Sequence, residues 1–422
     1  MLTYLIVWVY TWTHDPRTRT HMLSVLPLHP RRVYHCARAL WSGMLDGLGG
    51  PTVAIILSYV GGKLARSSGA RDTRVRDIQY GPAASHRLDL FVPQGQAEGA
   101  LPVVVVFPGY RWGKNRRARM YRPMAQTLCA TGRFVVLPRV GAAGGTPGAA
   151  PPDDALADFH AAVQWVLGNA ANFGGDPRRI HVLGYGAGAH LAMLYTLAVP
   201  LRTWYQQADR ISPSARLLST PQADQRLRTW LARIRGARPL AGLLLVSGVF
   251  DLAAQRKYEV SRSIQYVSAT ARTFGTPAPG NSDDAWSPAA IVRALRRRSA
   301  YIPAELFAQS VLLIHGQRDS TFVLAQSQRM FRELCDVDVP RVDMKIYANL
   351  RRVDPAIALL APRSPLAVSL LADIGASLDG EPGRRDQQQP AAETGTGGEA
   401  VGDADTGYFG SRRRVAVHEA AN

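Results

Sequence analysis

The chain has 422 residues and a formal net charge of +18 at neutral pH, from 50 Lys and Arg against 32 Asp and Glu. Hydrophobic residues make up 46% of it, which is enough for a large core and excludes disorder along the whole chain. The cysteines Cys36, Cys129 and Cys335 lie far apart. They exclude a disulfide framework and show no zinc spacing, so we predict no metal site.

The positive charge is scattered along the chain in singles, pairs and triplets. Clusters such as residues 296–298 and 412–414 are short. A nucleic-acid-binding surface is typically a concentrated basic patch or stripe. We therefore predict no nucleic-acid partner and attribute the excess of positive charge to a general bias towards arginine in the sequence.

Residues 1–71 combine apolar segments with basic flanks. Residues 1–12 are apolar, but they span only about 18 Å of a hydrocarbon core roughly 30 Å thick. Residues 39–64 are long enough to cross, but Asp46, several glycines and Pro51 interrupt them. The flanking arginines favour anionic headgroups, so we predict association with an anionic membrane surface. The alternative is a pair of helices packed on the folded domain.

Residues 376–422 are predicted to form a disordered tail. They contain a run of glutamines at 387–389 and then mostly Gly, Ala, Thr and Glu in low-complexity order. A segment with so few large apolar residues cannot bury enough surface to fold by itself.

Strand and helix patterns alternate between these ends, over residues 72–375. Apolar runs typical of buried parallel strands occur at 101–107, 134–137, 180–183, 243–246, 311–314 and 342–347. Helical patterns cover 154–171, 188–197 and 321–335. This alternation predicts an α/β fold with a doubly wound, mostly parallel sheet. Residues 200–240 and 251–300 fit no core strand and are predicted to be cap insertions above the C-terminal edge of the sheet.

The segment 184–190, Gly-Tyr-Gly-Ala-Gly-Ala-His, follows a predicted strand and opens a predicted helix. That context suits the elbow G-x-S-x-G, which exposes a nucleophile on a sharp turn. It also suits a G-x-G-x-x-G/A dinucleotide site. The dinucleotide motif usually opens the first βα unit and is followed by an acidic residue about 20 positions on. Here the segment lies well past the first strand, and the first acidic residue after it is Asp209, so we favour the elbow and predict no cofactor.

The run at 173–192 resembles the YGGDP-x-RI…G-x-S-A-G-A-H-x-A block of the isoprenylcysteine methylesterase group. That group is part of the carboxylesterase and kynurenine formamidase-like α/β-hydrolases. The resemblance covers about residues 75–371, including the segments at 80–90, 247–252, 286–289 and 315–319. It implies an α/β-hydrolase fold, carboxylic ester hydrolysis and an endomembrane location, with a cytoplasmic location as the alternative.

The resemblance also implies which residues occupy the catalytic positions. Gly186 stands where the family has its nucleophilic serine, and glycine cannot form an acyl-enzyme. Asp319 retains the position of the acid. Arg352 stands at the histidine position, and arginine stays protonated and cannot act as a general base. We expect an Arg352–Asp319 ion pair in place of the histidine–aspartate pair.

The glycine-rich loop that supplies the family's oxyanion hole aligns with residues 107–113, where Pro108 replaces a glycine. We predict that Gly109, Tyr110 and Ala187 form an oxyanion-type group, because backbone N–H donors there stabilise negative charge. Tyr185 is predicted to line the pocket.

These departures favour a catalytically inactive hydrolase with a binding or regulatory role, whose ligand is a small carboxylate or ester and whose protein partner is unknown. One alternative is an active prenylcysteine methylesterase-like enzyme with an unrecognised nucleophile, for which Ser247 and Ser320 are the nearest candidates. A third is an electrostatic binder of membranes or nucleic acid, whose binding would fall steeply with salt.

Overall fold

The molecule is described from a computed structural model. It covers Tyr34 and residues 73–93, 100–109, 121–140, 152–212, 214–262, 264–265, 268–274, 283–298, 302–351, 354–359, 362, 364–380 and 412–418. The predicted membrane-associated region, residues 1–71, lies outside these residues apart from Tyr34. Its association with membranes therefore stays a prediction. No helix among the described residues is long and apolar enough to cross a bilayer.

The described strands form one sheet in the order β1-β2-β4-β3-β5-β6-β7-β8-β9. Their bounds are β1 Thr73–Gln79, β2 Arg87–Val92, β3 Leu101–Phe107, β4 Phe134–Pro138, β5 Gly175–Tyr185, β6 Gly242–Val246, β7 Ser310–Gly316, β8 Arg341–Tyr347 and β9 Arg412–His418. All pairs from β4 to β9 are parallel, while β2 is antiparallel to both β1 and β4. The predicted doubly wound, mostly parallel sheet is confirmed.

The helices cover both faces of the sheet. Their bounds are α1 Arg122–Cys129, α2 Pro152–Asn169, α3 Ala187–Thr196, α4 Ala198–Ile211, α5 Pro221–Arg233, α6 Leu252–Ser261, α7 Ala269–Phe274, α8 Pro288–Arg297, α9 Ala325–Cys335, α10 Asp354–Ala358 and α11 Pro365–Leu378. One core joins the sheet to α2, α3, α4, α5, α8 and α9. The other joins it to α1, α10 and α11. The central strands are buried on both faces, which is why they appear in the sequence as continuous apolar runs.

The segments predicted as cap insertions are helical. The first contains α4 and α5. Trp230 of α5 is fully buried and donates its indole N–H to the Ala285 carbonyl at 3.0 Å, and Arg233 pairs with Asp154 of α2. The second contains α6, whose Tyr258 donates to the Ser320 carbonyl at 2.7 Å. Thus α5 lies along α2, whereas α6 borders the C-terminal edge of the sheet.

The predicted boundaries need correction at two places. The helix expected at 321–335 begins at Ala325, because the backbone N–H groups of Thr321 and Phe322 donate to the Asp319 carboxylate in a turn. The tail predicted to be disordered from residue 376 is ordered in part. There α11 continues to Leu378, and Arg412–His418 forms β9, whose backbone is paired with β8.

Candidate functional site

A sharp turn at Gly186 joins β5 to α3 at the C-terminal edge of the sheet. Gly186 has φ 55° and ψ −111°. Its N–H donates to the Val246 carbonyl at 2.8 Å, and its carbonyl accepts from the N–H of His190 at 3.2 Å. This backbone conformation is strained for any residue with a side chain and easy for glycine. The chain therefore forms the elbow turn but presents no side chain at its apex.

Three glycines around the elbow allow close backbone packing. A Cβ at Gly184 would lie 2.6 Å from the Ala189 Cα. A Cβ at Gly188 would overlap the Phe107 carbonyl oxygen, and a Cβ at Gly109 would overlap that of Tyr185. These positions hold α3 and the loop after β3 against the end of β5.

The N-terminus of α3 supplies a backbone N–H donor at the elbow. Ala187 is the first residue of that helix, so its N–H has no acceptor within the helix. Gly109 packs against the elbow, while Tyr110 lies outside the described residues, so the predicted oxyanion-type group is placed only in part. Tyr185 is buried and lines an apolar cavity on the opposite face of the sheet from α3. The rest of its described lining is Tyr121, Met124, Leu183, Val246, Ile314, Pro355, Leu359, Leu370 and Ile374.

Asp319 lies just beyond β7 with one carboxylate oxygen satisfied. Oδ1 accepts from the N–H groups of Thr321 and Phe322 at 2.9 and 3.0 Å. Oδ2 is buried and has no hydrogen-bond partner in the described part of the chain. The Arg318 N–H donates to the Leu350 carbonyl at 3.0 Å, so the loop that leads to residue 352 lies beside Asp319. Arg352 itself is outside the described residues, and its ion pair with Asp319 stays a prediction.

Comparisons with known proteins agree with this geometry. The Carboxylesterase family model matches residues 87–237. A probable isoprenylcysteine α-carbonyl methylesterase of Oryza sativa is 34% identical over 28% of this chain and 26% of its own length. A phosphonate-inhibited esterase B of Lactobacillus rhamnosis superposes with a TM-score of 0.51 at 15% identity, covering 78% of this chain and 94% of that one. The protein has the α/β-hydrolase fold, and its residues 87–237 are similar to the carboxylesterase family. An esterase of Mycobacterium tuberculosis is 31% identical over 32% of this chain and 32% of its own. The chain thus matches between a quarter and a third of the length of these curated relatives.

Among the described residues, the serines nearest to the elbow apex lack the setting of a nucleophile. Ser247 has φ 47° at the end of β6, but it is fully buried and its hydroxyl has no hydrogen-bond partner among the described residues. Ser320 is exposed, and no described hydrogen bond joins its hydroxyl to a histidine. In the part of the chain that the structure describes, neither serine has the adjacent base that activates a hydroxyl.

A Ser-His-Asp arrangement does occur, but it is sealed in the core. The His315 Nδ1 lies 2.7 Å from the Ser327 Oγ, and its Nε2 lies 3.9 Å from the Asp319 Oδ2. The His315 Nε2 also hydrogen-bonds the Phe322 carbonyl at 2.8 Å. Burial lowers the pKa of His315, which favours the neutral ring. Ser327 and His315 are fully buried, so an ester from solvent cannot reach them.

No group of His, Cys, Asp and Glu within the described ranges is arranged to hold a metal ion. His190, one turn beyond the elbow, has a structural setting. It is fully buried, its Nδ1 lies 2.7 Å from the Val249 carbonyl oxygen, and its ring contacts Phe274. The Nδ1 therefore carries the proton and donates, because a carbonyl oxygen only accepts.

We expect the free energy of unfolding of the His190→Asn variant to fall less steeply than that of the natural chain as the pH drops below 7. Burial lowers the pKa of His190 to about 4. Between this value and the ordinary value of about 6.5 the unfolded chain binds a proton that the folded chain does not, so stability falls as pH drops. The contribution is at most about 1.4 kcal/mol per pH unit. Asparagine can still donate to Val249. Urea unfolding at pH 7, 6 and 5 measures the slope, and an unchanged slope in the variant would contradict this assignment.

Proposed function

We propose that this esterase-like hydrolase has lost acyl-transfer catalysis and keeps its site for binding or regulation. The carrying observation is the elbow at Gly186, which has the strained turn of a nucleophile position and no side chain to attack a carbonyl. The described serines nearby are buried or lack a base, which supports the same conclusion. Without a nucleophile and base, donors and binding alone give weak catalysis. In subtilisin, losing the triad leaves only about 10³–10⁴ over water.

The ligand class we propose is a small carboxylate or carboxylic ester. The α3 N-terminus directs the Ala187 N–H towards the elbow, and helix N-termini favour negative charge. The name of the rice relative, an isoprenylcysteine α-carbonyl methylesterase, points to the same class. We further propose that Arg352 pairs with Asp319, because the buried Asp319 Oδ2 has no hydrogen-bond partner among the described residues. An arginine there also gives a ligand carboxylate a bidentate partner.

The natural full chain is expected to hydrolyse p-nitrophenyl acetate no faster than the weak rate that donors and binding alone give, and not to react with a fluorophosphonate. Intact-mass spectrometry reports any covalent adduct, and a working esterase of the same concentration is the positive control. The alternative function is an active ester hydrolase with a non-standard site, for which Ser247 is the candidate with a strained backbone. Turnover together with a phosphonate adduct on Ser247 or Ser320 would establish that alternative and overturn the proposal.

A further inference from the structure

Two buried side chains of α6, the Gln255–Glu259 pair, carry oxygens that have no described hydrogen-bond donor. Gln255 is 1% exposed and Glu259 is 3% exposed. The Gln255 Nε2 donates to the Glu259 Oε1 at 3.1 Å and to the Thr321 carbonyl at 3.0 Å. The Gln255 Oε1 and the Glu259 Oε2 are buried and have no hydrogen-bond partner among the described residues. Leaving buried acceptors unbonded is costly, so this place favours a ligand that brings donors.

The Gln255–Glu259 pair lies beside the loop that carries the acid position. Thr321, whose carbonyl accepts from Gln255, also donates its N–H to the Asp319 carboxylate. Tyr258 of α6 donates to the Ser320 carbonyl at 2.7 Å. These bonds hold α6 just beyond the C-terminal end of β7, at the edge of the sheet where the elbow lies. The pair is therefore on the cap side of the candidate site.

The negative charge of Glu259 has no described counter-charge. One of its oxygens accepts from Gln255 and the other has no described partner, so no described cation is bonded to this carboxylate. The nearby cations have other partners: Arg262 at the end of α6 donates to the Tyr258 hydroxyl, and Arg329 of α9 pairs with Asp251. Buried charges are normally paired, because an uncompensated charge in the interior is costly. A water molecule would supply donors only, whereas a cationic ligand group supplies donors and the counter-charge.

The arrangement of the acceptors favours an ammonium group as that cation. An ammonium has three donors on a compact charge, whereas a guanidinium presents a rigid planar fork that matches the two oxygens of one carboxylate. Here the two oxygens belong to different groups, a carboxylate and a carboxamide. The Gln265 Oε1 is a third buried acceptor without a described partner. It is held near the end of α6, because the Ile264 N–H donates to the Glu259 carbonyl at 2.9 Å.

We propose that the Gln255–Glu259 pair is a subsite for a primary ammonium group, and that the ligand is a small carboxylate or ester that also carries this group, as an amino acid or its ester does. The carboxylate or ester part of this ligand rests on the proposed function, while the ammonium subsite rests on the pair. α6 is a cap helix whose other face is exposed at Val260, so a local movement of α6 would admit a small ligand. His315, in contrast, lies in a central strand of the sheet.

Three probes applied to the natural full chain test the ammonium subsite. Leucine methyl ester carries an ammonium and an ester, methyl isocaproate is the same molecule without the amine, and isoamylamine is the same molecule without the ester. Isothermal titration calorimetry is expected to show that leucine methyl ester binds at least about tenfold more tightly than methyl isocaproate, the gain of one charged hydrogen bond.

The other outcomes separate the subsite from the proposed function. Equal binding of the two esters overturns the ammonium subsite and agrees with the proposed function. Binding of isoamylamine alone supports the ammonium subsite and contradicts the proposed ligand class. Binding of none of the three probes overturns both.

Glu259→Gln tests whether this pair is the subsite. The variant keeps an acceptor for the Gln255 N–H and removes the negative charge, so the preference for leucine methyl ester is expected to disappear. Glu305→Gln is the matched control, because it removes the same charge from an exposed residue before β7, and its preference is expected to remain. Thermal unfolding should show the Glu259 variant to be folded and no less stable than the natural chain, because a buried unpaired charge is gone. A preference that survives Glu259→Gln, or a loss of stability that reveals an existing counter-charge, overturns the assignment.

Discussion

The double variant Gly186→Ser, Arg352→His is expected to hydrolyse p-nitrophenyl acetate at least about a hundredfold faster than the natural chain. The upper limit of this gain is the roughly 10⁶-fold rate that a complete triad contributes. The elbow conformation is already present at Gly186, so a serine there would present its hydroxyl at the apex. We expect a histidine at 352 to lie near the Asp319 carboxylate, whose Oδ1 is fixed by two backbone N–H groups and whose Oδ2 has no partner among the described residues. The elbow backbone at Gly186 and the carboxylate of Asp319 are thus the two described features that the double variant would use.

The matched control is Gly186→Ala, Arg352→His, which introduces the same backbone strain and no nucleophile. A side chain at φ 55° costs about 1–3 kcal/mol, so both double variants should be less stable than the natural chain by a similar amount. Only the serine variant should gain turnover and a single phosphonate adduct. Equal activity in the alanine control would show that the hydrolysis does not pass through residue 186.

The sequence predicts the central part of this fold well and its borders less well. The apolar runs that became β3, β4, β6, β7 and β8 are buried on both faces, and continuous hydrophobicity is the signal of such strands. β1 carries polar residues in most positions and lies beyond β2, so the same signal was absent there. β9 follows a low-complexity stretch, and its order comes from a pairing with residues 341–347 that no local pattern reveals.

The site shows the same division between local and long-range information. The glycines at 184, 186 and 188 could be identified from the sequence, because their spacing after a strand defines the turn. The second role of Gly109, close packing on the Tyr185 carbonyl, depends on a contact between distant segments. The burial of the Asp319 Oδ2, away from any hydrogen-bond partner that the structure describes, is likewise a property of the packed turn around it.

The elbow keeps its shape for reasons that do not require catalysis. Gly184 and Gly188 pack backbone against backbone, so they are needed by any chain that sets α3 on the ends of β3 and β5. At the apex of the elbow the backbone adopts a conformation that disfavours side chains, and Gly186 accommodates it. A glycine at position 186 therefore leaves the architecture intact and avoids the strain that a serine would impose.

Gly188→Ala tests this packing role and is expected to lower the free energy of unfolding by about 2–3 kcal/mol, near the upper part of the range for overpacked sites. The new methyl group would overlap the Phe107 carbonyl oxygen, and neither that strand end nor the first turn of α3 can move without disturbing the elbow. Chemical denaturation followed by circular dichroism gives the value.

Gly375→Ala is the control, and it is expected to change the free energy of unfolding in the opposite direction. Gly375 lies inside α11, and a Cβ built there has no heavy atom within 4 Å apart from its chain neighbours and the backbone of its own helix. Alanine should therefore raise the free energy of unfolding by about 0.5–1 kcal/mol through its higher helix propensity. If Gly188→Ala were as neutral or stabilising as Gly375→Ala, the contact between α3 and the end of β3 would be looser than described. The glycine pattern would then need a cause other than packing, and a bound ligand at the α3 N-terminus would be the first to test.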